Sequence, residues 1–323
     1  MKKIRIGVMG CANIAKKSVI PAIKNLSDQF ELVSVSSRSE SKALELANYF
    51  NCKAVVGYDN LLKDDIDAVY IPLPTGLHDE WITKALLAGK HVYAEKSIAN
   101  SLVSAKKMVT EAQNRDLVLM EGYMFQYHTQ HQKVKQLIAD NAIGEVRSFR
   151  GAFGFPPLDE NNFRYDEIIG GGALFDAAGY PLRAVHFMMG SAFKVVASSL
   201  YINPKTGTSI HGSAYLKNKD GIGAQIAFGF DNFYQCNYEI WGSKGRIVVE
   251  RAYTPSPDYK PIIHLEQQGI AEKIIEEPFN HFVGAMQEFY DLIIEKSIRK
   301  LQYDSILLQS ESLDLIKTLS TNY

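Results

Sequence analysis

The chain has 323 residues, 35 Lys and Arg against 36 Asp and Glu, a formal net charge of -1 and 46% hydrophobic residues. No block of five or six like charges occurs, which excludes a basic face for nucleic acid or an anionic membrane and leaves a small molecule as the expected partner. The length predicts two domains.

Basic residues precede apolar ones at the N-terminus, but Arg5, Gly7 and Gly10 interrupt any export-signal core, so this stretch reads as a first strand. No run approaches the roughly 18 apolar residues of a spanning helix, and the cytoplasm is the expected location. Cys11, Cys52 and Cys236 are odd in number and lack CxxC spacing, which supports neither a disulfide framework nor a metal site.

Ile4 to Met9 is a short apolar strand that runs into Gly10-Cys11-Ala12-Asn13-Ile14-Ala15 and then a helical stretch to about Leu26. Strand, tight turn and helix with small residues at 10, 12 and 15 make a dinucleotide fingerprint. One small residue serves the turn, one the approach of backbone N–H groups to a pyrophosphate, and one close helix packing. Gly10, Cys11, Ala12, Asn13 and Ile14 are therefore expected against the cofactor. Lys16 and Lys17, directly after the turn, are placed to meet cofactor or substrate phosphates or to be solvated at a helix start.

A second strand, Glu31 to Ser36, ends in Ser37-Arg38-Ser39, where an acid would hold a ribose 2′-hydroxyl. A hydroxyl and a guanidinium suit a 2′-phosphate, so NADP(H) is expected over NAD(H); the alternative is a solvated loop arginine. After a helix through Phe50, Val55 to Asn60 and Ile66 to Ile71 continue the alternation of strand and connection. Pro72 and Pro74 then stop a strand in a stiff loop, which places Leu73 and Pro74, with Tyr58, on the cofactor side. His78 opens the next helix as either a cap-region residue or a cofactor contact.

His91 to Ala94 is about the fifth strand, and it ends in Glu95-Lys96-Ser97, a carboxylate and an ammonium at the sheet edge where ligands bind. A helix over Ser101 to Arg115 and a strand over Leu117 to Met120 complete a doubly wound sheet by about residue 122. Beyond it come a helix over Gln132 to Asp140 and period-two runs at Val146 to Phe155, Lys194 to Ile202, Gly212 to Lys217, Gly223 to Phe230 and Tyr234 to Trp241, with hairpin turns between. Helices over about Phe279 to Ser297 and Tyr303 to Leu319 close the chain. The expected fold is α/β plus α+β: a Rossmann domain over 1–122, and a substrate-binding and oligomerisation domain over 123–323 on a large, open, mostly antiparallel sheet. One alternating face of that sheet suits a subunit interface, so a dimer or tetramer is expected.

With these residues in hand, the chain resembles the family of glucose-fructose oxidoreductase, inositol dehydrogenase and related NAD(P)-dependent proteins over nearly its full length. The likeness rests on Gly10 to Ala15, Glu95-Lys96 and the segment Gly170 to Tyr180. Within that family, Asp67 to Pro74, Phe163-Arg164-Tyr165, Tyr180 to Ala184 and Tyr253-Thr254-Pro255 look most like nucleotide-sugar 3-ketoreductases of deoxysugar biosynthesis. The resemblance implies NADPH-dependent reduction of the C3 ketone of a dTDP-linked keto-deoxysugar. Tyr180 would hydrogen-bond the carbonyl oxygen and donate a proton, and Lys96 would assist it or deliver the proton itself. Arg164 and Glu95 would lie near the cofactor. Asp176, four residues before Tyr180 and hence expected on one helix face with it, would face substrate or serve as an internal carboxylate. Lys17, Tyr234 and Thr254 correspond to substrate-side positions.

Ser97 stands where the family usually has proline, and Gly179 lies one residue later than the family's glycine. Two other functions fit the same motifs: a dehydrogenase of a free sugar, inositol or dihydrodiol, and a cofactor-sensing regulator without catalysis.

Overall fold

The computed structural model describes residues 3–321, in two compact units: residues 3–122 with 282–310, and residues 123–281 with 311–321. In the first unit β1 (Ile4–Met9), β2 (Phe30–Ser37), β3 (Lys53–Val56), β4 (Ala68–Ile71), β5 (His91–Ala94) and β6 (Leu119–Glu121) form a sheet in the order β3-β2-β1-β4-β5-β6. Every pairing is parallel. Ile6, Val8, Val69, Ile71, Val92 and Ala94 are all fully buried, as strands covered on both faces require. Strand order reverses between β1 and β4, so their following loops diverge and open a crevice at the carboxyl edge.

The connections are helical: α1 (Ile20–Asn25), preceded by a π-helical turn over Ala15–Val19, α2 (Glu40–Phe50), α3 (Tyr58–Leu62), α4 (His78–Leu87) and α5 (Leu102–Asn114). The expected extended run Val55 to Asn60 divides. Its strand ends at Val56, and Tyr58, Leu61 and Leu62 bury at helical spacing in α3. Ser101 caps α5 by accepting the Ser104 N–H at 3.2 Å.

In the second unit β7 (Val146–Gly154), β8 (Lys194–Ile202), β9 (Ser209–Lys217), β10 (Gly223–Gly229), β11 (Gln235–Gly242), β12 (Gly245–Val249), β13 (Ile262–Gln267), β14 (Ile270–Ile275) and β15 (Ser320–Thr321) make one sheet. Its order is β14-β13-β12-β11-β7-β10-β9-β8-β15, antiparallel except for β7 with β10 and β8 with β15. Phe149, Leu216, Ile226, Tyr238 and Ile247 line its buried face, against which α8 (Gly179–Met189) packs. Arg150, Ser213, Tyr215, Gln225 and Ala227 alternate onto the open face. On that face Arg246 joins Glu239 and Glu266 at 3.0 and 2.9 Å.

The segment expected as one helix through Asp176 and Tyr180 is two: α7 (Gly172–Asp176) and α8. The hydrogen-bond ladder slips between them, with the amides of both Ala177 and Ala178 donating to the Ala173 carbonyl and that of Tyr180 to Ala177. Asp176 and Tyr180 therefore do not share a helix face. Gly179 sits at this break because the Tyr123 hydroxyl lies 1.8 Å from where a β-carbon would stand. Only glycine allows that approach.

The second unit also holds α6 (Thr129–Ala139). The chain then returns in α9 (His281–Ile294) and α10 (Arg299–Leu319), of which residues 282–310 pack with the first unit. The expected uninterrupted second domain over 123–323 is corrected accordingly. The cause is local packing: the Phe289 ring stacks near Phe30 and Tyr93 at centroid distances of 6.4 and 5.7 Å, and Arg299 donates to Asp116.

Candidate active site

The carboxyl edge of the first sheet begins with the turn after β1. Gly10 has φ +116°, a conformation L side chains rarely adopt, and a β-carbon there would meet Leu73 Cδ2 at 3.0 Å. The Tyr58 hydroxyl and Pro72 lie just beyond, at 3.8 and 4.0 Å. Gly10, Tyr58 and Leu73, distant in sequence, thus converge around one backbone turn that leads into a helix, with Ala12 and Pro74 half-buried and Asn13 exposed. A turn without a β-carbon at a helix N-terminus fits a pyrophosphate, and this cradle fits the expected dinucleotide.

Cys11 is half-buried and its thiol donates to the Lys42 carbonyl at 3.4 Å, which pins the turn against α2; burial raises its pKa. Lys16 turns away to Glu45 at 3.0 Å, while Lys17 is exposed. At the end of β2, Ser37 is buried and its hydroxyl oxygen accepts the Ser39 N–H at 3.1 Å. Arg38 is exposed and reaches the Tyr58 hydroxyl, whose pKa burial raises and the guanidinium pulls back.

The turn carrying Lys96 is held from three directions within the first unit. Tyr70 on β4 donates its hydroxyl to Glu95 Oε1 at 2.7 Å. His78, fully buried at the start of α4, places Nδ1 2.9 Å from the Ser97 carbonyl oxygen and Nε2 2.8 Å from that of Leu73. Glu121, buried at the end of β6, accepts the Ile98 N–H at 2.8 Å. The Lys96–Ser97 peptide is cis. His78 therefore occupies neither an open cap nor an exposed surface: burial lowers its pKa and its ring nitrogens face two backbone carbonyls.

In the second unit Tyr180 is buried in a box of aromatic rings, with Phe153 at 4.6 Å, Tyr123 at 5.6 Å and Tyr253 at 5.9 Å between centroids. Its hydroxyl reaches the Met124 sulfur at 3.9 Å, a weak acceptor. Arg183, one turn further along α8 and buried, stacks its guanidinium 4.9 Å from the centre of the Tyr123 ring. Arg164 joins Asp176 through Nε to Oδ2 at 2.8 Å. Asp166, nearer in sequence, instead accepts the amides of Ile168 and Ile169. Tyr234 and Thr254 come together, hydroxyl to hydroxyl at 3.2 Å, with Arg251 4.8 Å from the Tyr234 ring centre.

Residues 4–123 match an oxidoreductase family with an NAD-binding Rossmann fold, and residues 131–248 match the GFO/IDH/MocA C-terminal domain. The chain belongs to the GFO/IDH/MocA oxidoreductase family. A dTDP-3,4-didehydro-2,6-dideoxy-alpha-D-glucose 3-reductase of Saccharopolyspora spinosa is 42% identical over 275 residues, 84% of this chain and 82% of the relative. An Actinomadura kijaniata protein of the same name is 36% identical over 98% of this chain and 95% of its own length. A crystal structure of a 3-ketoreductase from Actinomadura kijaniata with NADP and TDP-benzene superposes with a TM-score of 0.96 at 35% identity, covering 99% of both chains. The chain is thus an NAD(P)-dependent oxidoreductase of this family, as the Gly10 turn and the Glu95-Lys96 edge led us to expect.

Sequence reasoning passed over Glu121, Tyr123, Arg183 and Arg251. A signal for Glu121 exists, since an acid at the carboxyl end of a strand follows the same logic as Glu95. None exists for Tyr123, whose contact with Gly179 spans 56 residues. Among the described residues no group of three or more His, Cys, Asp or Glu side chains could hold a metal, and no helix is long and apolar enough to cross a membrane.

Proposed function

We propose that this chain is a 3-ketoreductase that uses NADPH to reduce the C3 ketone of a dTDP-linked 3,4-diketo-2,6-dideoxy sugar to an alcohol. The observation that carries this reading is the end-to-end likeness, at a TM-score of 0.96, to a 3-ketoreductase crystallised with NADP and TDP-benzene. Curated relatives named for that reduction, spanning 84% to 98% of the chain, support it. NADPH, when bound, supplies a hydride to the carbonyl carbon. The residues Gly10 to Ile14 hold the pyrophosphate with backbone N–H groups, Leu73 and Pro74 bound the crevice, and Tyr180 and Lys96 deliver the proton to the carbonyl oxygen.

Residue roles draw further support from variants. The Actinomadura kijaniata 3-ketoreductase has been crystallised with one lysine replaced by Ala or Glu, and with one tyrosine replaced by Phe. Those two positions are 84 residues apart, as Lys96 and Tyr180 are here. Tyr234, Thr254 and Lys17 are assigned to the nucleotide-sugar, and Arg164 with Asp176 to the cofactor or sugar as one ion-paired unit.

Ser37 and Arg38 are assigned to the 2′-phosphate of NADPH. Arg38→Ala is expected to raise the KM for NADPH by about 10-fold, the scale of one exposed charge-assisted contact, while changing that for NADH by less than about 2-fold. Equal changes for the two cofactors would remove Arg38 from this role.

The open face of the second sheet is assigned to a copy of the same chain. Ala197, Ser199, Ser213 and Ala227 leave a trough flanked by the Arg150, Glu239 and Arg246 charges, which opposed copies can complement. Ala227→Arg is expected to lower the mass seen by sedimentation without unfolding the chain. An unchanged mass would place any interface elsewhere.

A further inference from the structure

We infer that His78 is a positioning residue for Lys96, acting as a strut behind the turn after β5. The inference rests on the reading of Lys96 as a proton-delivery group. His78 stands at the first position of α4, with no exposed surface, and its ring spans the gap between the loop after β4 and the turn after β5. Nε2 meets the Leu73 carbonyl at 2.8 Å and Nδ1 meets that of Ser97, the residue after Lys96, at 2.9 Å. A carbonyl only accepts, so the Ser97 contact is a hydrogen bond when Nδ1 carries the proton.

The loop beyond Leu73 bounds the crevice assigned to the cofactor, and Ser97 fixes the backbone from which Lys96 projects. The ring thus ties the turn that carries Lys96 to the start of α4. The turn has a second anchor, the Ile98 N–H donating to buried Glu121. Two elements, α4 and β6, therefore hold Ser97 and Ile98, the two residues that follow Lys96. Reaction geometry tolerates little slack, since about 1 Å of misplacement can cost on the order of 100-fold in rate.

Two amide variants separate the two contacts. The Asn nitrogen can take the place of Nδ1, so His78→Asn keeps the bond to Ser97 and loses only the Nε2 contact with Leu73. The Gln nitrogen can take the place of Nε2, so His78→Gln does the reverse. Acetylation of Lys96 by N-acetoxysuccinimide in the cofactor-free full chain, read by peptide mass spectrometry, reports the Lys96 environment without turnover.

His78→Gln is expected to change the Lys96 acetylation rate several-fold and to lower kcat roughly 10- to 100-fold with the KM for keto-sugar within about 2-fold. His78→Asn is expected to stay near wild type in both. The imidazole 15N spectrum of the wild type is expected to show a protonated Nδ1. Equal effects of Asn and Gln, or an unprotonated Nδ1, would reduce His78 to core packing and overturn the inference. Should His78→Gln fail to fold, Glu121→Ala, which removes the other anchor, is expected to shift Lys96 acetylation likewise, and an unchanged rate would equally overturn it. A wild-type kcat for Lys96→Met would instead refute the reading of Lys96, while the acetylation rates still decide the strut.

Discussion

Tyr180→Phe is expected to lower kcat for the dTDP-keto-sugar by about 100- to 1,000-fold, and Lys96→Met by at least as much, with NADPH binding changed by less than about 3-fold. Phenylalanine keeps the ring within the box of Phe153, Tyr123 and Tyr253 and removes only the hydroxyl, so the packing of α8 is preserved. Methionine keeps most of the stem of Lys96 and removes the charge. If the two residues form one proton-delivery unit, the double variant costs little more than the worse single one, because groups that act together are strongly non-additive. Losses that multiply would mean two independent roles. The assay is loss of reduced-nicotinamide absorbance with substrate generated in place, and a Tyr180→Phe enzyme within about 3-fold of wild type would dismiss the tyrosine as proton donor.

What was legible in the sequence was local. The Gly10 turn and the Lys96 edge could be read because each motif lies within a few residues of one strand end, where backbone conformation and charge are decided nearby. The parallel sheet followed from the same alternation. Contacts between distant residues could not be read. His78 reads as either a cap-region residue or a cofactor contact, because its partner carbonyl at Ser97 is 19 residues away. Arg164 reads as lying near the cofactor, and nothing within a few residues of it announces Asp176, 12 positions away, as its partner. The break between α7 and α8 was hidden for the same reason: a helical count from Asp176 to Tyr180 carries no information about Tyr123 pressing on Gly179. Residues 282–310 have the pattern of any amphipathic helices, and only their partners assign them to the first unit.

One of those partners carries the largest stability effect we expect. Arg299→Met should lower the unfolding free energy by about 3 kcal/mol, read from urea midpoints at constant slope. Arg299 is 4% exposed and donates four hydrogen bonds. Nε goes to the Leu292 carbonyl at 2.7 Å, Nη2 to that of Ile293 at 2.8 Å, and Nη1 to both the carbonyl and Oδ1 of Asp116 at 2.7 and 2.8 Å. Leu292 and Ile293 belong to the last turn of α9, whose carbonyls have no partners within the helix, so the guanidinium caps that helix and ties it to the turn before β6. Three of the four acceptors are backbone oxygens that cannot be removed with a side chain, and methionine leaves them without their donor. Asp116 is more than half exposed, so its charge is largely screened. Asp116→Asn should therefore cost less than about 1 kcal/mol. If the two variants cost the same, the ion pair and not the capping of α9 holds the returning segment. Lysine cannot restore the cap, because a single ammonium does not span acceptors spread around a planar fork. Arg299→Lys is accordingly expected to fall close to Arg299→Met.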